Sequence, residues 1–97
     1  MLESLTHDHF SGRVGEIFRI DSEPAALEFE LISAEQKAVE PREGGRQPFS
    51  LVFQGPREPI LEQRIRALQH EAFGTLEIFL VPIGQNENGV QYEAIFN

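Results

Sequence analysis

Metal chemistry is the first possibility the residues raise, because His7-Asp8-His9 puts two imidazoles and a carboxylate within three positions. Such ligands at close spacing recur at metal sites. Thr6 before them is a helix-capping residue and Gly12 after them a helix stop, which predicts a brief helical turn over His7–Phe10 with Asp8 near its positive end. Residues two apart on a helix point about 200° away from each other. Both rings therefore meet one ion only if the segment is extended, and the expectation is a capped surface turn without a metal. His70 is the remaining histidine.

Nucleophilic chemistry needs an activated hydroxyl or thiol, and the chain has no cysteine. Its candidate serine and threonine hydroxyls, Ser4, Thr6, Ser11, Ser22, Ser33, Ser50 and Thr75, include none in a Gly-x-Ser-x-Gly elbow. Ser50, between Phe49 and Leu51, reads as an outward position of a strand. Glu28 and Glu30 share one strand face, where solvation explains them; an acid and base pair for glycoside hydrolysis needs a deep cleft that 97 residues scarcely build. Gly44-Gly45-Arg46 looks like a phosphate cradle, yet no Gly-Lys-Ser/Thr follows, and a flexible hairpin tip accounts for it. No catalytic residue and no cofactor is expected. Arg42, Arg46, Arg57, Arg64 and Arg66 remain as candidates for an interaction patch that docks an acidic partner. Surface pairing with Glu40, Glu43, Glu58 and Glu62 is the plainer use of the same charges.

The elements that would hold these residues are legible in a two-residue rhythm, the mark of strands with one buried and one solvated face. Leu27-Glu28-Phe29-Glu30-Leu31 alternates cleanly, and Phe49–Gln54 repeats the pattern. Leu76–Val81 starts the same way and then turns apolar on both faces, as a central strand does. Val90–Phe96 places Val90, Tyr92, Ala94 and Phe96 on one side. Arg64–His70 fits strand or helix; a strand is favoured because Glu71–Gly74 then suffices as a hairpin connection to Thr75–Ile83, with a helical turn at Ile60–Gln63 left open. Asp21-Ser22-Glu23-Pro24 separates Val14–Ile20 from Leu27–Ser33 as a second hairpin. Asn88-Gly89 suggests a turn with positive φ at both residues, inside a loop from Gly84 to Gly89. Glu40–Pro48 and Gly55–Pro59 read as surface loops.

Six antiparallel strands, a short N-terminal helical turn and eight phenylalanines predict an all-β fold, a small barrel or sandwich, in a single domain over residues 1–97. Closure would remove two open edges and cover a row of aromatic side chains. The net charge of −8 disfavours nucleic acid and anionic lipid surfaces. That charge is unevenly spread: residues 67–97 hold four glutamates and no lysine or arginine. Met1–Phe10 has neither the basic stretch nor the apolar run of a signal peptide, and no segment has the length of a membrane span, which makes the cytoplasm the expected location.

Leu5-Thr6-His7-Asp8-His9-Phe10, Val14-Gly15-Glu16-Ile17-Phe18 and Pro48–Pro56, together with Gly74–Ile83 and Tyr92–Asn97, form a pattern over nearly the whole chain. The chain resembles a family of short all-β bacterial proteins classed as a domain of unknown function. Its shared positions are Phe, Gly and Pro at strand and turn sites, so the resemblance implies a fold and no catalytic residues. It also implies an accessory or assembly role, since some members are encoded near phage-tail-collar-like fibre proteins. The function expected is thus a non-enzymatic protein-interaction module, with a protein partner or a second copy docked through rim loops or an edge strand. The alternative is a barrel that binds a small apolar ligand in its interior or mouth.

Overall fold

The computed structural model describes residues 5–22, 25–40 and 45–97. Thr6 opens a short helix, α1, over His7–Ser11. The His9 ring folds back so that its Nδ1 accepts the Thr6 backbone N–H at 2.9 Å, the part a Glu or Gln plays in a capping box. Six strands follow: β1 (Ile17–Ile20), β2 (Leu27–Gln36), β3 (Phe49–Gln54), β4 (Arg64–His70), β5 (Gly74–Asn86) and β6 (Gly89–Phe96). All pairings are antiparallel, and the order β1-β2-β3-β6-β5-β4 closes into a barrel. Closure decides between the barrel and the sandwich that the alternation allows. Two meanders, β1-β2-β3 and β4-β5-β6, thus meet along β3–β6 and β1–β4.

The inward positions carry the apolar half of each alternation. Phe18, Phe29, Leu31, Phe49, Leu51, Phe53, Leu68 and Tyr92 are fully buried. Phe49 and Phe96 are register partners on β3 and β6, and their rings stack with centroids 4.6 Å apart. Helix α1 plugs the barrel end where β1, β3 and β5 begin: Phe10 is fully buried, 4.9 Å from the Phe73 ring and within 6 Å of Phe49 and Phe96. At the opposite end the segment from Gly55 to Gln63 crosses the opening. It is not helical, so the turn left open at Ile60–Gln63 is absent; Leu61 instead donates its backbone N–H to the hydroxyl of Tyr92 at 2.9 Å. That bond satisfies the polar tip of a side chain otherwise sealed in the core.

Several boundaries differ from the sequence expectation, the larger shifts each for a local reason. Strand β1 begins at Ile17 and not Val14, because Gly12–Gly15 form a turn in which Gly15 adopts φ 98°. Strand β2 runs on to Gln36 through a bulge between Leu31 and Ser33, which shifts the alternation by one residue and hides the second half from a period-two search. A second bulge between Pro82 and Gly84 lets β5 continue to Asn86. The β5–β6 connection is accordingly only Glu87-Asn88: Asn86 Oδ1 accepts the Asn88 N–H at 2.9 Å, and positive φ is confined to Gly89.

Candidate functional site

The histidines have separate employments. The Nε2–H of His7 donates to the Ala34 carbonyl at 2.9 Å and pins α1 to β2, while His9 closes the cap at Thr6. His70 ends β4 with its side chain inside the barrel, stacked on Phe18 at 4.4 Å. Its Nδ1 accepts the Ala72 N–H at 3.0 Å, which leaves the proton on Nε2; that N–H donates to Glu16 Oε1 at 2.7 Å. Glu16 also receives Arg13 at 3.3 Å, and Arg13 lies over the Phe73 ring. The hydrogen bond from His70, helped by Arg13 and opposed by partial burial, holds the Glu16 carboxyl below its usual range. These groups line an open groove of about 1120 Å³ between β1 and the β4–β5 turn. Both ring nitrogens of His70 are engaged in these hydrogen bonds, which tie the β4–β5 turn to the segment before β1. Among the described residues no three His, Asp or Glu side chains gather to hold a metal ion.

The arginines fall at several places. Arg42 lies outside the described residues. Arg46 precedes β3 at the α1 end, donating to the Leu5 carbonyl at 2.8 Å with its guanidinium over the Phe49 and Phe96 rings. Arg57 follows β3 at the other end and donates from Nε, at 3.1 Å, and from Nη2 to the Glu87 carbonyl. Arg64 and Arg66 share one alternate of β4; Arg66 donates to the Glu62 carbonyl at 2.8 Å. Backbone carbonyls are thus among the partners of Arg46, Arg57 and Arg66. β3 holds Arg46 and Arg57 at opposite ends of the barrel.

A different constellation appears on the outside of β4, β5 and β6. Ile65, Phe79 and Ile95 are 62%, 50% and 51% exposed. Ile65 is the register partner of Phe79. The β5–β6 ladder begins at Val81↔Glu93; Phe79 lies two residues before Val81 and Ile95 two residues after Glu93, each on the outward alternate of its strand, so three large apolar side chains stand exposed on three successive strands. Val81 adds a partly exposed neighbour, and Ile83, extruded by the β5 bulge, is half exposed. Single exposed apolar residues are ordinary; a row fixed by strand register on a rigid sheet is a patch. Its signal lay in Leu76–Val81, apolar on both faces. That pattern is normally read as burial on both sides, whereas here the second face is open.

The model of a family described as a domain of unknown function, DUF6916, matches residues 5–96. The chain belongs to that family. No curated protein and no solved structure matches it. The matched span takes in α1 and all six strands. No helix among the described residues is long and apolar enough to cross a membrane.

Proposed function

We propose that this DUF6916 barrel is a non-enzymatic interaction module that docks a protein partner on the outward face of β4, β5 and β6. The observation that carries the reading is the exposed row Ile65, Phe79 and Ile95. Burying such a side chain from full exposure is worth about 1.5–3 kcal/mol; at 50–62% exposure each has roughly half of that left to gain, and several together anchor a complex. Because the six strands close into a ring, a sheet face offers more to a partner than a free strand edge does, which favours docking through side chains. The engaged nitrogens of His70 and the separate bonds of His7 and His9 support a role without chemistry. The resemblance drawn from the sequence motifs extends the reading to an accessory or assembly role beside a phage-tail-like or fibre system. An apolar ligand inside the barrel has less to favour it, because Phe18, Phe29, Phe53 and Tyr92 occupy the interior in mutual ring contacts.

Affinity purification from the host cell of a tagged chain and of its Phe79→Ser/Ile95→Ser form tests the proposal. A protein recovered in constant proportion with the first and lost with the second is the expected outcome. Recovery of the chain alone, or a partner indifferent to both substitutions, contradicts it.

A further inference from the structure

Resting on the docking role of the β4–β5–β6 face, the chemistry of its partner is set by the side chains that face outward there. The outward positions of these strands are Ile65, Ala67 and Gln69 on β4, Thr75, Glu77, Phe79 and Val81 on β5, and Gln91, Glu93 and Ile95 on β6. Not one is basic. Arg64 and Arg66, the arginines of β4, belong to the alternate that holds Leu68 and His70. Glu77 stands opposite Ala67, and Glu93 stands between Val81 of β5 and Val52 of β3. Each carboxylate therefore borders the apolar row on one side.

A second copy is a poor occupant of this face. In a two-fold dimer the same patch meets itself, so Glu77 and Glu93 would face outward positions of β4, β5 and β6 that hold no basic residue, the nearest flanking cation being Arg19 beside Gln69 on β1. The whole-chain charge of −8 adds to that repulsion. We infer that the face takes a protein segment with an apolar centre flanked by lysine or arginine, seated so that the apolar side chains cover Ile65, Phe79 and Ile95 while the cations reach Glu77 and Glu93. The apolar row supplies affinity. The carboxylates select among apolar segments and speed encounter, and their effect weakens with salt.

A photo-reactive benzophenone side chain placed at Ala67, with Glu28 on the outer face of β2 as control position, tests this in host cells. The expected result is an adduct from position 67 and not 28, on a partner peptide with an apolar run and Lys or Arg on both sides of it. Phe79→Ser and the Glu77→Lys/Glu93→Lys pair, each verified as folded by circular dichroism, should each lower the adduct yield about tenfold. A yield lowered by Phe79→Ser and untouched by charge reversal overturns the basic partner and leaves the docking face standing. An adduct with a second copy, or with a segment lacking Lys and Arg, overturns the basic partner as well. No adduct from position 67, or one indifferent to Phe79→Ser, overturns both.

Discussion

At Gly55 the barrel has no room for a side chain: a Cβ built there would sit 2.6 Å from Cε2 of Phe29 and 2.9 Å from Cε1 of Tyr92. Gly89, opposite, combines φ 136° with a Cβ position that collides with the Gly55 carbonyl oxygen. Gly12, by contrast, has φ −87° and open space around it. Gly55→Ala should therefore cost about 1–3 kcal/mol by overpacking, Gly89→Ala at least as much, and Gly12→Ala within about 0.5 kcal/mol of nothing, read from urea unfolding. None of these distinctions was legible in the sequence, where glycine marks turns but not what lies across from them. Glu16 is a similar case. Its neighbour His70 is 54 positions away and nothing in either local pattern joins them. Because the folded-state pKa of Glu16 lies below its unfolded value, its stabilising contribution is present above about pH 4.5 and is lost as pH falls through the depressed value. The stability gap between the wild type and Glu16→Gln should accordingly shrink on acidification below that point; a gap independent of pH would contradict the assignment.

At the scale of elements, strands with strict alternation were readable and strands with bulges were not. Phe49–Gln54 has the extent that its pattern predicts. Arg64–His70, where periodicity allowed a helix, was settled by the short connection to β5. The later part of β2 and the far end of β5 escaped because one extra residue inverts the parity of all that follow. Helix α1 was visible through its cap, yet its contribution comes from a single residue: Phe10→Ala removes the ring that stacks on Phe73 and faces Phe49 and Phe96. That substitution should lower unfolding free energy by about 3–5 kcal/mol in a denaturant titration. The seam between β1 and β4 is the weak joint of the ring, since among the described residues their register is recorded only at Arg19↔Gln69 whereas β3 and β6 pair continuously from Phe49↔Phe96 to Gln54↔Gln91. Amides of β1 should exchange with deuterium before those of β3 and β6. Equal protection of all three would show the seam to be as firm as the rest.

Across the whole molecule, a chain of 97 residues closes six strands around a core of aromatic rings and leaves its C-terminal meander with an apolar, acid-bordered exterior. The core followed from parity alone, because inward residues announce themselves by alternating with charged ones. The outer patch did not, because an apolar residue on the second face of a strand carries the same letters whether another layer covers it or solvent does. Only the closed ring, with none of the described residues covering the outward side of Phe79, separates the two cases. The docking role proposed for β4, β5 and β6 requires a partner to cover this exterior in the cell. Hydroxyl-radical footprinting in intact host cells and on the purified chain addresses it directly: Ile65, Phe79 and Ile95 should be oxidised in the purified protein and shielded in cells, with Phe18, Phe29 and Phe53 shielded in both. Equal oxidation of the three outer residues in both settings would contradict the account.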